Sequence, residues 1–204
     1  MRGSGVVVQR EVMPSHGEAG GRALPQRICL LVLGMHRSGT SAMTRVISLL
    51  GADLPKTLLG EGLGNEAGHW EPAPLVTHHD WLLEQLASRW DDWRKLDPAA
   101  FPASLREEAA RRFHALVDEE YGASPLFALK DPRICRFAPF VAELLAARNI
   151  ATRHVLMLRN PLAVVASLAA RNGMTPGICR SHVAAARARC RGDDAACAAR
   201  HHLL

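Results

Sequence analysis

The stretch Ile28-Cys-Leu-Leu-Val-Leu-Gly-Met-His-Arg-Ser-Gly-Thr-Ser-Ala-Met-Thr-Arg-Val-Ile-Ser-Leu-Leu-Gly51 decides the fold. Its first six residues are an unbroken apolar run, the pattern of a strand buried on both faces of a parallel sheet. A loop, Gly34-Met-His-Arg-Ser-Gly-Thr-Ser41, follows without a spacer. Residues 42–50 then carry apolar side chains at helical spacing and stop at Gly51, a C-terminal cap. Strand, glycine-bearing turn and helix in immediate succession gather backbone N–H groups around an anion.

Two further units repeat this plan. Pro125-Leu-Phe-Ala-Leu129 reads as a short strand ending at Lys130-Asp-Pro-Arg133, where Pro132 stops it, with a helix over 137–148. Thr152-Arg-His-Val-Leu-Met-Leu158 reads as a third strand. It ends at Arg159-Asn-Pro161, and Pro161 suits the first turn of a helix over 162–170. Between the first two units, the Gly- and Pro-rich residues 52–70 read as a long ordered loop or two short turns. Residues 74 to about 90 and 105–121 read as helices, the second charged on its outer face. Three strand–loop–helix units predict an α/β fold, a three-layer αβα arrangement around a central parallel sheet. Ligands of such sheets sit beyond the carboxyl ends of the strands. The polar clusters 34–41, 130–133 and 159–160 all fall there.

The bulk properties agree with one domain of ordinary composition. The chain has 204 residues, 48% hydrophobic and 22% charged. A net charge of +5 favours an anionic ligand without choosing its class. The charge is not gathered into one block, and one Tyr with five Phe leaves few rings for stacking bases, so no nucleic-acid partner is expected. Five cysteines without framework spacing argue against a disulfide scaffold and for a reducing, cytoplasmic setting. No CxxC pair points to zinc, and no apolar run approaches the length of a membrane span. Residues 1–26 read as a flexible lead-in without a signal-peptide core. The domain is expected over 27–177. Residues 178–204, with three cysteines, eight alanines and five arginines, read as an atypical tail with a helix around 180–190.

The loop spacing Gly34-x4-Gly39 followed by Thr40-Ser41 mimics the phosphate-binding pattern G-x4-G-K-[ST]. Glycines allow the tight turn, the helix start adds its dipole, and the Thr and Ser hydroxyls donate to anionic oxygens. Thr40 stands where a triphosphatase places its lysine, and no clear apolar strand ends in a magnesium-binding acid. A cation stands earlier instead, at Arg37. The loop therefore suits a 5′-phosphate better than metal-dependent triphosphate hydrolysis.

Arg37-Ser-Gly-Thr-Ser41 resembles the 5′-phosphosulfate loop of the sulfotransferase family, Arg-Ser-Gly-Thr-[Thr/Ser]. The second family signature is an Arg at a strand end with a Ser eight positions on; Arg159 and Ser167 stand at that spacing. Arg171, four further on, resembles the tyrosylprotein branch. The resemblance covers roughly residues 28–174, and the segment from Gly34 to Trp70-Glu71 looks most like bacterial members. It implies a P-loop-like sulfotransferase fold and 3′-phosphoadenosine 5′-phosphosulfate as co-substrate without a metal. Arg37, Ser38, Gly39, Thr40, Ser41, Arg159, Ser167 and Arg171 would hold that donor. Independently of the family, Arg159 offers a bidentate fork to a phosphate, and Ser167 and Arg171 share one helix face. The family's chain continues past the position of Arg171 with further helices, which residues 178–204 do not resemble; a truncated, binding-only remnant is thus one alternative, and a small-molecule P-loop kinase another.

Sulfuryl transfer needs cations at the leaving oxygen and a base at the acceptor. Arg37 and Lys130 are the candidate cations, the latter because the family carries a lysine on a similar Lys-Asp-Pro segment. The plainer reading of Lys130 is a salt bridge to Asp131, and Arg133 serves either role. Glu71, in Gly68-His-Trp-Glu-Pro72, holds the place of the membrane-bound branch's catalytic glutamate, with His69 as local rival. His78-His79-Asp80 invites a metal reading, but adjacent helix positions diverge by about 100°, so a solvated polar face is expected. Trp81, Trp90 and Trp93 read as core. The acceptor is expected to be a small molecule, carbohydrate or lipid bearing a hydroxyl or amine.

Overall fold

The computed structural model describes residues 27–62, 68–92, 94–173 and 177. The lead-in over 1–26, the tail over 178–204 with its expected helix, and Trp93 lie outside the described residues. Three strands, β1 (Arg27–Leu33), β2 (Leu126–Lys130) and β3 (Ile150–Leu156), form one parallel sheet in the order β2-β1-β3. Leu31 faces Leu129 on one side and His154 on the other. The chain is α/β, as the repeated strand–loop–helix pattern predicts.

Helices cover both faces of the sheet. Strand residues alternate sides, so Cys29, Leu31, Phe127 and Leu129 enter one apolar cluster and Leu30, Val32, Leu126 and Ala128 another. The first cluster takes side chains from α2 (Ala73–Gln85), α3 (Ala103–Tyr121) and α4 (Ala138–Ala147). The second takes Met43 and Ile47 from α1 (Thr40–Leu49). Tyr121 adds a polar tie, donating its hydroxyl to Ala128 O at 3.0 Å across the α3–β2 connection. Helix α5 (Pro161–Asn172) packs Val164, Val165 and Leu168 beside Met35. Among the described residues no helix is long and apolar enough to cross a membrane.

Three of the boundary differences from the sequence expectation have a clear local reason. Helix α2 ends at Gln85 instead of near residue 90. Ala87 turns to φ 48, and Ser88 N bonds back to Leu83 O at 2.9 Å. The buried Arg136 guanidinium then takes Ser88 Oγ at 2.8 Å, Arg94 O at 2.9 Å and Arg89 O, so the following carbonyls serve it instead of a helix. Strand β3 begins at Ile150, two residues early, because Asn149 at φ 54 ends the preceding turn and Arg27 pairs with Ile150. A 3-10 turn, Pro132–Arg136, intervenes before α4. Of the Gly- and Pro-rich residues 52–70, those at 63–67 lie outside the described residues; among the others, Asp53 pairs in parallel with Phe127 on the outer side of β2, and Leu58 pairs antiparallel with Pro72. The outer edge of β2 is thereby covered over that short stretch.

Candidate functional site

Topology places the loops after β1 and β3 side by side, because β1 is central and the chain passes to β2 on one side and β3 on the other. In the 34–41 loop, Ser38 N bonds Met35 O at 3.1 Å, and Arg37 stands at φ 67. That conformation costs a non-glycine residue on the order of 1–3 kcal/mol and persists where the surroundings enforce it. Ser38 Oγ closes the turn on Met35 O at 2.6 Å. Gly39, at φ 95, caps α1, whose ladder opens with Met43 N to Gly39 O at 3.1 Å. The amides of Thr40, Ser41 and Ala42 precede that bond and are the donors a helix start offers to an anion.

Helix α5 closes on this loop. Arg37 Nε donates to Ser167 Oγ at 2.8 Å, and Arg159 Nη1 donates to Arg37 O at 2.8 Å. Asn160 caps the helix by accepting from Leu162 N at 2.9 Å, which fixes where Arg159 leaves the strand end. One turn beyond Ser167, Arg171 loses proton affinity first through burial and then through the charge of Arg37, with Glu71 opposing.

The end of β2 supplies the third side. Lys130 Nζ donates to Ser41 Oγ and to His69 O, each at 3.1 Å, and pairs with Glu71 Oε1. The expected alternative, a pair with Asp131, is not formed: the next strand-end residue points away and binds elsewhere. Asp131 accepts from Arg133 N at 3.0 Å and Arg133 Nη1 at 3.1 Å, and its Oδ2 lies 2.8 Å from His79 Nδ1. Burial pushes the Asp131 carboxyl up, yet His79 and Arg133 together hold it below the usual carboxylate range. Glu71 is 3% exposed and is placed by its own carbonyl, which accepts from Leu59 N at 2.7 Å. Burial raises its pKa, while Lys130 and Arg133 work against the rise and Asp131 adds to it.

His69 reports the field at this place. Its Nδ1 is 4.0 Å from Glu71 Oε1, yet its pKa is lowered, by burial first and then by Lys130, Arg171, Arg133 and Arg37. Four cations, from the loop, the β2 end, the turn after it and α5, thus act on one imidazole, although Lys130 and Arg133 are themselves paired with Glu71, Asp80 and Asp131. All ten site residues named from sequence fall here, around the carboxyl ends of the strands.

His78 and His79 are not the solvated face the sequence suggested. They are 6% and 1% exposed, His78 stacked on Trp81 and His79 edge-on to Phe137. Their neighbour Asp80 reaches Arg133 Nε at 2.6 Å. His36, which carries no local sequence signal, sits edge-on to Trp90 at 4.8 Å, with its Nε2 enclosed and unbonded among the described residues. Trp81 and Trp90 pack on the main core as expected, and Arg45 lies over Trp70 at 4.9 Å. Among the described residues no group of three or more His, Cys, Asp or Glu is placed to hold a metal ion.

Two of these rings make the fold acid-sensitive. Burial, followed by Arg133, lowers the His36 pKa to about 3, and burial, followed by His79, lowers that of His78 to about 3. Both stay neutral in the folded chain but protonate near 6.5 when unfolded. Their contribution to stability is therefore complete above pH 6.5 and is lost as pH falls toward 3. Each removes up to roughly 1.4 kcal/mol per pH unit below that threshold. Urea unfolding across this range should show the midpoint falling as acid is added; a flat midpoint would refute the assignment.

No family model, curated protein or solved structure matches the chain.

Proposed function

We propose that the chain is a sulfotransferase that moves a sulfuryl group from 3′-phosphoadenosine 5′-phosphosulfate to a hydroxyl or amine, on a P-loop-like fold and without a metal. One observation carries the reading: the two halves of the family signature, 130 residues apart in sequence, meet as a hydrogen-bonded unit between Arg37 and Ser167. The 34–41 loop and the first turn of α1 would receive the 5′-phosphosulfate. Arg159, Ser167 and Arg171 would receive the 3′-phosphate. The acceptor oxygen or nitrogen attacks sulfur in line as the sulfur–phosphate oxygen bond breaks. Its proton passes to Glu71, and Arg37 and Lys130 meet the charge growing on the leaving phosphate. Burial raises the Glu71 pKa from 4.5, toward the range in which a carboxylate is a more effective base. The acceptor class is a small molecule, carbohydrate or lipid.

The kinase alternative loses support at Asp131. That acid, which follows the end of β2, is fully buried and both its oxygens are engaged by His79 and Arg133.

Adenosine 3′,5′-bisphosphate should bind with micromolar affinity in a calorimeter, unchanged by chelator. Arg159→Ala should weaken it about tenfold to a hundredfold, the value of a charge-assisted hydrogen bond to phosphate. Absence of binding heat to the intact chain would sink the reading. Binding without transfer to any acceptor in a hydroxyl and amine panel would favour an inactive nucleotide-binding remnant.

A further inference from the structure

Helix α2 carries an acid that the proposed chemistry leaves unused. Asp80 lies one residue past His79, and the two adjacent side chains grip the same short turn at the end of β2. His79 holds Asp131 and Asp80 holds Arg133. Arg133 is thus pulled from two sides: Asp80 Oδ1 takes Nε at 2.6 Å and Asp131 Oδ1 takes Nη1 at 3.1 Å. The third acid within reach, Glu71, receives no hydrogen bond from it; Nη1 stops 3.8 Å short of Oε2. Glu71 Oε1 is meanwhile committed to Lys130.

A guanidinium has five donors in a planar fork and forks onto a carboxylate wherever geometry allows. Arg133 faces three carboxylates and hydrogen-bonds two. The one left out is the carboxylate that must accept a proton. We propose that Asp80 is a positioning residue for Glu71: together with Asp131 it holds Arg133 out of hydrogen-bond reach of Glu71 Oε2, leaving that oxygen to receive the acceptor's proton. This rests on the reading of Glu71 as the base. Asp80 touches no reacting atom and acts only through Arg133. Without its charge, the guanidinium is free to turn onto Oε2 and make Glu71 a doubly paired, weaker base.

The charged and titratable groups that face Glu71 are Lys130 from β2, Arg133 and Asp131 from the turn, Arg171 from α5 and His69 from its own loop. Asp80→Asn leaves all of them in place. Its side chain is 41% exposed, so the isosteric change does not open the core.

The test is a carbon-13 NMR titration of the Glu71 carboxyl in the full chain, assigned by its loss in Glu71→Gln. Asp80→Asn should move the Glu71 midpoint down by about one pH unit, the effect of a newly bonded cation on a carboxylate. Asp80→Glu should move it less. With donor and acceptor, Asp80→Asn should lower kcat about tenfold, leave adenosine 3′,5′-bisphosphate affinity unchanged, and move the acidic limb of the rate profile with the carboxyl. An unmoved Glu71 midpoint in Asp80→Asn, or an equal effect of Asp80→Glu, overturns the proposal. The titration needs no ligand. A shifted Glu71 in a chain that binds no adenosine 3′,5′-bisphosphate would uphold the restraint on Arg133 and refute the sulfotransferase reading and the base role that depends on it.

Discussion

Lys130→Met is expected to cost about 3–5 kcal/mol of stability at neutral pH, the penalty for stripping the partner from a buried charge. Lys130 and Glu71 side chains are 3% and 4% exposed, so the carboxylate left behind would be a buried charge without its partner. The same substitution removes the donor that ties Ser41 Oγ and His69 O together, so the loop helix and the segment carrying Glu71 lose their common anchor. The deficit has a pH signature. Burial raises the folded pKa of Glu71 above 4.5 even with Lys130 beside it, and without Lys130 it rises further. A carboxyl with a raised folded pKa supports the fold fully below its unfolded value, and that support is lost as pH rises through the folded value. The gap between variant and parent should therefore be widest at neutral pH and narrow in acid, where Glu71 takes a proton and Lys130 in the parent loses its counter-charge. Denaturant unfolding of the two proteins at several pH values measures this. A pH-independent gap would show that Lys130 acts by packing alone. Under the proposed transfer, the same variant should also lose turnover by a hundredfold or more, as one of two cations at the leaving oxygen disappears.

The parts legible in the sequence were those set by short-range pattern. An unbroken apolar run, a glycine pair and a helical stripe within 24 residues placed β1, the loop and α1 almost to the residue. The end of β2 is marked by Lys130-Asp-Pro because proline cannot extend a strand, whereas β3 stops at Leu156, short of Arg159-Asn-Pro. What escaped was set by partners distant in sequence. The apolar residues of Val155-Leu-Met-Leu158 drew the third strand toward its C-terminal end, whereas the register is fixed by Arg27 against Ile150. His78-His79-Asp80 reads from sequence as a solvated polar face because adjacent helix positions diverge and share no ion. The apolar stripe of α2, Leu75, Leu82 and Leu83, has His79 at its missing i+4 position, and that spacing was available as a signal. The division of Arg133 among three acids has no local signature at all. It appears only when α2, the β2 end and residue 71 are brought together by the packing of α2 against the Pro132–Arg136 turn.

Gly34→Ala should abolish tight anion binding while leaving the sheet intact. Gly34 is where β1 leaves the sheet, and a Cβ there would meet Ser38 Oγ at 2.7 Å, Thr40 Cγ2 at 2.8 Å and Met157 Cβ at 3.0 Å. The first two contacts are shorter than real Cβ atoms tolerate, and both come from the loop itself. Ser38 cannot retreat without giving up its bond to Met35 O, and Thr40 is the first residue of α1. The least costly relief lifts the loop away from the strand end, which also breaks the donation of Gly34 N to Cys135 Sγ at 3.1 Å. Overpacking of this kind costs typically 1–3 kcal/mol, enough to lower the melting temperature without unfolding the domain. The functional cost is larger than the structural one. Converging amides bind an anion only while their directions are held, and a displaced loop carries Arg37 and the α1 amides off a common focus. Affinity for adenosine 3′,5′-bisphosphate should fall by about a hundredfold or more, roughly 2.7 kcal/mol. Arg37 would also part from Ser167, and the two halves of the site with it. A calorimetric titration beside a thermal melt decides the matter. Binding within a few-fold of the parent would mean that the loop does not hold the anion, and the site would have to be sought among the side-chain cations alone.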